Sequence, residues 1–243
     1  MVPTKRLILS IFPGIDILGL AFEIEGLDEW CLVRGPDPIY GGLIHNFHPP
    51  EGVFWGVIGG PPCQIHSGMK KLNPRAGEGD GDLIPEFCRV VGEANPLWWL
   101  MENVPQATIP AVPGYRVQHL RLNNRQMAWS PDGYGGVGPE QTRDRAFHFG
   151  TLGGETLSLH VAPRANDRKA PTVLAGHGPT KWQRAKTGGN VTVPMMCLLQ
   201  GLPEDFAERL PFTEHDKRKV IGNAVPLYLG RELARAIRRA MEE

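Results

Sequence analysis

The fold prediction rests on the stretch Val53-Phe54-Trp55-Gly56-Val57-Ile58-Gly59-Gly60-Pro61-Pro62-Cys63-Gln64. Its first six residues form a short apolar run that predicts a buried strand. The glycines and prolines that follow break regular structure, and each proline fixes φ and removes a backbone donor. We therefore expect a stiff loop with Cys63 at its tip. In α/β folds ligands bind beyond the carboxyl ends of strands, so Cys63 is a candidate nucleophile. A buried, inert thiol is the alternative.

Two further strands are predicted before this stretch. Residues 7–12 form an apolar run that ends at Pro13-Gly14, and a helical pattern then continues to Gly26. Residues 30–33 predict the second strand, and Asp37 follows it. A strand, a glycine turn and a helix are typical of nucleotide-binding α/β units, in which an acid after the second strand hydrogen-bonds a ribose. An ordinary turn is the alternative for both features.

Charged residues also stand at the ends of later strands. Residues 97–101 predict a buried strand that ends in Glu102, a candidate proton donor whose alternative is a solvated carboxylate. Arg143 and Arg145 precede a predicted strand at residues 146–149. An extended backbone would project both guanidinium groups to one side, which suits an anionic or carbonyl-rich ligand. Surface ion pairs are the alternative for these arginines.

The C-terminal residues predict an amphipathic helix with Leu229, Leu233 and Ile237 in its apolar stripe. The arginines of this helix are expected to form a basic outer face.

Composition sets further limits. The chain has 243 residues, which suits one domain or one large and one small domain. Because 26 Lys and Arg balance 26 Asp and Glu, the net charge does not indicate a nucleic-acid partner. The four cysteines are scattered and expected to be reduced, so we predict no metal site. No stretch approaches the roughly 20 apolar residues of a membrane span. We expect a cytoplasmic monomer with no membrane partner.

Five motifs occur in an order that resembles the DNA (cytosine-5)-methyltransferase family. They are Phe12-Pro13-Gly14, Pro61-Pro62-Cys63-Gln64, Glu102-Asn103-Val104, residues 141–145 and Gly222-Asn223-Ala224-Val225-Pro226. The resemblance covers nearly the whole chain. It implies an α/β, Rossmann-like, S-adenosylmethionine-dependent methyltransferase fold with a mixed, mostly parallel sheet. It also implies that DNA is the partner and that the target cytosine is flipped out of the duplex.

The resemblance assigns roles to individual residues. Cys63 would add to C6 of cytosine, and Glu102 would protonate or hydrogen-bond the ring at N3 and the exocyclic amine. Arg143 and Arg145 would stabilise charge and orient the base, with Arg145 at the cytosine O2. The cofactor-binding residues that it implies are Phe12, Gly14, Ile15, Asp16, Pro36, Asp37, Pro61, Asn223 and Ala224.

Three acids of the family pattern are missing from the predicted cofactor pocket. Ser10 stands where the family has an acid before Phe12, and Gly35 and Trp55 align with two further acids. Asp16 and Asp37 are the nearby acids that could compensate. S-adenosylmethionine is therefore the expected cofactor, with a modified analogue of it as the alternative.

The target-recognition region is also shorter than in the family. Only about residues 151–169 stand where the family inserts a small domain, which is too short for a separate core. We predict a catalytic and cofactor-binding domain at 1–150, a reduced target-recognition region at 151–192, and a segment returning to the catalytic domain at 193–243. Short or relaxed specificity follows. The predicted DNA-contacting residues are Gln64, Ser67, Lys70, Lys71, Arg75, Arg168, Lys181, Trp182, Arg184 and Lys186.

Two other functions fit the same residues. The shortened region would permit C5 modification of cytosine in RNA or in a free nucleotide. The missing acids would fit a catalytically impaired DNA-binding relative with an altered cofactor pocket. Against the second alternative, an inactive protein has no chemical need for Cys63, Glu102, Arg143 and Arg145 together.

Overall fold

The computed structural model describes residues 5–37, 39, 41–62, 82–129, 141–163, 172–173 and 191–242. The strands are β1 (Arg6–Ile11), β2 (Trp30–Arg34), β3 (Gly56–Gly59), β4 (Trp98–Asn103), β5 (Arg116–Asn123) and β6 (Asp144–Thr151). The α-helices are α1 (Ile17–Glu25), α2 (Ile84–Ala94), α3 (Val193–Leu199), α4 (Glu214–Asn223) and α5 (Leu227–Glu242). Short 3₁₀ turns lie at Ile44–Asn46, Asn124–Trp129 and Phe206–Arg209.

The strands form one sheet in the order β2-β1-β3-β4-β6-β5. Strand β1 runs parallel to β2 and β3, and β3 runs parallel to β4. Strand β6 is antiparallel to both β4 and β5. The prediction of a mixed, mostly parallel sheet is therefore confirmed. From β1 the chain adds β2 on one side and then adds β3 on the opposite side of β1. The topological switch point, where the strand order reverses, therefore lies between β1 and β3.

Both faces of the sheet are covered. Helices α1 and α5 cover the face on which Trp98 contacts Phe22 of α1, and α2 covers the other face, where its Phe87 contacts Trp99. Strand β4 is buried throughout, which explains the apolar run at residues 98–101. Helices α3 and α4 contribute to a third cluster. Within the described residues, no helix is long and apolar enough to cross a membrane.

The last helix confirms its predicted apolar stripe, which is fully buried, but the expectation of a basic outer face was wrong. Arg231 and Arg235 form ion pairs with Glu25 at the end of α1. Arg238 forms another with Glu29 at 2.7 Å. These contacts were not predictable from the helix pattern because the acids belong to a distant segment. The arginines fasten α5 to α1.

Strands β3 and β5 differ from the prediction. Strand β3 begins at Gly56, because Val53 is exposed and Trp55 instead stacks edge-on against Trp98 at 5.2 Å. Trp55 therefore lies at the amino end of β3, opposite the edge where ligands are expected. Strand β5 was not predicted. It is a partly exposed edge strand without an apolar run, so its pattern gave little signal.

Candidate active site at the carboxyl edge of the sheet

Five chain segments that carry predicted site residues meet at one edge of the sheet. Strands β1 to β4 are parallel, so their carboxyl ends share this edge, and antiparallel β6 begins there. The edge has a cofactor end, at the turns after β1 and β2, and a base end, at the ends of β3 and β4 and the start of β6. The topology alone therefore brings together residues that are far apart in sequence.

An ion pair between Glu102 and Arg145 forms the base end. Glu102 lies opposite Phe147 in the β4–β6 register, so Arg145, two residues earlier, projects from the same face of the sheet. Arg145 Nε lies 2.7 Å from Glu102 Oε1, and the exposed fractions of the two side chains are 16% and 11%. A planar guanidinium beside a mostly buried carboxylate can orient a polar ring and stabilise charge on it.

The loop that leads to Cys63 is fastened beside this ion pair. The Asn103 side-chain amide donates to the Pro61 carbonyl at 3.2 Å, and Asn103 is almost completely buried. A Cβ added at Gly60 would lie 3.2 Å from Glu102 Oε2, so the backbone passes close to the carboxylate. Cys63 itself lies outside the described residues. Sequence reasoning missed the role of Asn103, although the resemblance motif contains this residue.

Arg143 has different surroundings from Arg145. It is 1% exposed and donates to the Val173 carbonyl at 2.9 Å and to the Asn223 carbonyl at 3.4 Å. The structure thus brings Arg145, but not Arg143, to Glu102. Arg143 ties the start of β6 to the end of α4, and this favours a positioning role over direct contact with a base.

A buried network of side-chain amides, which the sequence did not predict, adds to the hydrogen bonds by which Arg143 ties β6 to α4. Gln141 donates to the Leu199 carbonyl at 2.7 Å and accepts from the Val173 backbone amide at 3.0 Å. Gln200 donates to the carbonyls of Ile221 and Ala224 at 2.6 and 3.1 Å. Both glutamines are fully buried. The presence of Gln141 in one motif of the resemblance was the available signal.

The cofactor end begins with the turn after β1. Phe12, Gly14 and Asp16 adopt left-handed conformations with φ of 53°, 57° and 53°. Among the described residues, the only neighbour within 4 Å of a Cβ built at Gly14 is Ile39 Cδ1, at 3.9 Å. This leaves room for a ligand to approach the backbone, as the predicted role requires. Ile15, which was also predicted here, is half-buried and packs near α3 and α4.

Asp16 is a buried N-cap of α1. Its carboxylate accepts from the Gly19 amide at 3.1 Å and from Ser10 Oγ at 2.9 Å. Arg34 Nε lies 2.7 Å from the other carboxylate oxygen. Burial raises the pKa of the Asp16 carboxyl, while Arg34, Ser10 and Gly19 act in the opposite direction. These contacts explain why a carboxylate can persist at 6% exposure.

Asp37 is buried to a similar degree and also contacts backbone amides. Its Oδ2 accepts from the Gly14 amide at 2.8 Å, and its Oδ1 accepts from the Ile39 amide at 2.7 Å. Pro36 is half-buried beside it. At Gly35, an added Cβ would lie 2.9 Å from Ile11 Cγ2, so an acid at this position would require the isoleucine to move.

The other predicted site residues divide into two groups. Asn223 ends α4 with an exposed side chain, and Ala224 follows it half-buried. No direct link from either side chain to the turn after β1 is observed among the described residues. The predicted DNA contacts all lie outside the described residues: Gln64, Ser67, Lys70, Lys71, Arg75, Arg168, Lys181, Trp182, Arg184 and Lys186. The part of the chain that the structure describes contains no cluster of three potential metal ligands.

Comparison with known proteins gives consistent similarities. Residues 49–111, which include Cys63 and Glu102, match the family model of the C-5 cytosine-specific DNA methylase. The chain is 25% identical to type II methyltransferase M.HgiDI of Herpetosiphon aurantiacus, over 97% of this chain and 95% of the relative. It is 28% identical to DNA (cytosine-5)-methyltransferase CMT1 of Oryza sativa subsp. japonica, over 81% of this chain and 18% of that protein. Among solved structures, the methyltransferase EhMeth of Entamoeba histolytica has a TM-score of 0.65 at 11% identity, over 99% of this chain and 100% of that chain. The last similarity concerns the fold.

Proposed function

We propose that the chain, which belongs to the DNA (cytosine-5)-methyltransferase family, transfers a methyl group from S-adenosylmethionine to C5 of cytosine in DNA through a covalent adduct with Cys63. The main support is the Glu102–Arg145 ion pair beside the anchored Pro61 carbonyl. Two peptide units separate Pro61 from Cys63, so their Cα atoms are at most about 7 Å apart along any allowed path. The proposal therefore assigns the thiol to the same end of the edge as the ion pair.

The residues at the base end suit this chemistry. The Cys63 thiolate would add to C6 of cytosine, and the electron density displaced towards N3 would meet a proton or hydrogen bond from Glu102. Arg145 already holds Glu102 Oε1, so Oε2, which faces Gly60, is the oxygen directed towards a base. C5 would then bond to the methyl carbon as the bond from that carbon to the donor sulfur breaks, leaving S-adenosylhomocysteine, and the C5 proton would pass to water. The C6–sulfur bond breaks at the same time, and the thiolate is restored.

The cofactor end fits the proposed methyl donor. When bound, S-adenosylmethionine supplies an electrophilic methyl group. The left-handed turn at Gly14 leaves the space of a side chain unfilled, and it stands at the β1–β3 switch point where ligands of such folds bind. Phe12, Gly14 and Ile15 would line this crevice from the side of β1, and Pro61 from the side of β3. Asn223 and Ala224 remain proposed contacts from the end of α4.

DNA is the proposed acceptor, with short or relaxed sequence specificity. The region 151–169 provides too few residues for a separate recognition core. A base within a duplex must be flipped out at a cost of about a few kcal/mol before Cys63 can reach it. Loops that carry Lys70, Lys181 and Trp182 are proposed to contact the phosphates and to stack on bases.

One incubation tests the proposal. Protein, S-adenosylmethionine and mixed-sequence duplex DNA are combined, and the nucleosides are then analysed by mass spectrometry. We expect 5-methylcytosine with the wild-type chain and with the control Cys88→Ser, and none with Cys63→Ser. Parallel reactions with RNA and with dCMP separate the acceptors. Product in RNA or dCMP alone would overturn the assignment of DNA, and retained activity in Cys63→Ser would overturn the covalent mechanism. Failure of S-adenosylmethionine to bind in calorimetry would favour the impaired relative.

A further inference from the structure

The carboxylate of Asp37 bridges the two loops that frame the cofactor end. One oxygen accepts from the Gly14 amide of the turn after β1, at 2.8 Å. The other accepts from the Ile39 amide of its own loop, at 2.7 Å. Asp37 is only 6% exposed, so little of the carboxylate is open to a ligand. Hydrogen bonds from amides to a carboxylate are among the stronger ones, which makes this bridge an effective constraint on Gly14.

The turn that receives this bridge is strained. Phe12 and Asp16 are non-glycine residues in the left-handed region, with φ of 53° each. Such a conformation costs about 1–2 kcal/mol for each residue and persists where surrounding contacts determine it. At one end of the turn, Asp16 is held by Ser10, Gly19 and Arg34. The bridge from Asp37 holds the middle, at Gly14.

Asp37 is also the acid nearest to the position where an acid would contact a ribose. The end of β2 has Gly35 in that place, and a Cβ there would lie 2.9 Å from Ile11 Cγ2. Each oxygen of Asp37 keeps a further lone pair, but at 6% exposure a ribose hydroxyl could reach it only if the carboxylate rotated out of the bridge. The amide of Gly14 would then remain unpaired in a half-buried turn, which is unfavourable.

We infer that Asp37 is a positioning residue, which fixes the Gly14 turn for the cofactor, and that it is not the group that recognises the ribose hydroxyls. This inference rests on the proposed function, because it assumes an adenosyl cofactor in the β1–β3 crevice. It changes the role predicted for Asp37 from direct contact to action through Gly14.

A double-mutant cycle between protein and ligand tests the inference. The affinities of S-adenosylhomocysteine and its 2′-deoxy and 3′-deoxy analogues are measured by calorimetry with the wild-type chain and with Asp37→Asn. The substituted amide keeps one acceptor oxygen but cannot accept from both backbone amides. We expect Asp37→Asn to weaken all three ligands by the same factor, tenfold or more, with agreement within twofold. The exposed acid Glu204 provides the control Glu204→Gln, which should bind all three as the wild type does.

The other possible outcomes would contradict the inference or the proposed cofactor. If Asp37→Asn weakens S-adenosylhomocysteine at least fivefold more than a deoxy analogue, Asp37 contacts the ribose and the inference is wrong. If it weakens none of the ligands, Asp37 does not position the turn, and the inference is also wrong. If the wild-type chain binds none of them, the proposed cofactor fails and the inference with it. Should Asp37→Asn not fold, the same cycle is measured with Asp37→Glu, which keeps the charge but displaces the carboxylate.

Discussion

Removal of Arg145 should destabilise the protein because it leaves Glu102 as a mostly buried charge without its partner. In the folded chain the two groups are 2.7 Å apart, and the exposed fractions of their side chains are 16% for Arg145 and 11% for Glu102. The substitution Arg145→Met keeps an unbranched apolar chain of similar length and removes only the guanidinium. Its partner substitution, Glu102→Gln, removes the negative charge and keeps the shape.

The size of the effect follows from distance and burial. At 2.7 Å and an effective dielectric constant of about 20, the attraction is about 6 kcal/mol, and desolvation of both ions offsets most of it. Loss of one member of a buried ion pair typically costs about 3–5 kcal/mol. Because each side chain retains some exposure, we expect about 3 kcal/mol for Arg145→Met. The double variant removes both charges and should regain at least about 2 kcal/mol of this loss.

Urea denaturation at pH 7 measures these differences. The control is Arg121→Met, since Arg121 faces Asp144 across the neighbouring strands at 3.5 Å with 58% and 28% exposure. That exposed ion pair should contribute less than about 1 kcal/mol. If the losses from Arg145→Met and Glu102→Gln simply add in the double variant, the two charges do not interact and the reasoning is refuted. Methyl transfer should be lost in the double variant despite its recovered stability, but retained in Arg121→Met.

Three further predictions concern stability. Burial, and to a smaller extent the charge of His119 on β5, lowers the pKa of His148 from 6.5 to about 4. As the pH falls, the unfolded chain therefore binds this proton first, and the free energy of unfolding should fall by at most about 3 kcal/mol between pH 6.5 and 4. In urea titrations at several pH values, His148→Leu should lose less stability over this range. Gly59→Ala would place a Cβ 2.6 Å from the Ile11 carbonyl oxygen; at a cost of about 3 kcal/mol it should lower the melting temperature by about 6–12 °C, whereas Gly92→Ala, whose Cβ would meet no atom of the described residues within 4 Å, should raise it slightly. Glu25→Gln removes two ion pairs with α5 and should lower the free energy of unfolding, measured in thermal melts, by about 1–3 kcal/mol at low salt. The loss should be smaller at 1 M salt, which screens charges. Equal losses at both salt concentrations would contradict the electrostatic explanation.

The base end was largely predictable, because its main residues stand at the ends of strands. Glu102 follows an apolar run and Arg145 directly precedes the next predicted strand, and the resemblance placed both at one site. The Asn103 contact was not predictable. It joins a side-chain amide to the backbone carbonyl of Pro61, 42 residues away. A local sequence pattern does not show which backbone carbonyl will lie beside a given side chain in the folded chain. Arg143 shows the same limit, since its two acceptors are backbone oxygens of remote segments.

The arginines of α5 illustrate a different limit. The spacing of apolar residues correctly predicted which face of the helix is buried, because that face depends on the helical period alone. What covers the remaining faces depends on the neighbour, and the neighbour proved to be Glu25 at the end of α1 together with Glu29 in the turn that follows. A charge pattern read within one segment therefore cannot distinguish a DNA-facing surface from an interhelical contact. The same ambiguity applies to the predicted cationic loop around Lys181 and Arg184.

The missing acids of the cofactor pocket bear on whether the chain is an active enzyme. The sequence has Ser10 where the family has a carboxylate, which made an impaired relative a reasonable alternative. In the structure the Ser10 hydroxyl donates to Asp16 at 2.9 Å, so a carboxylate lies within hydrogen-bond distance of that position after all. Arg34 in turn contacts this carboxylate at 2.7 Å, which fixes its direction at the end of β1. Because a carboxyl group is retained at the switch point but supplied from the start of α1, the substitution at Ser10 is a relocation of the acid and is weak evidence for a lost cofactor site.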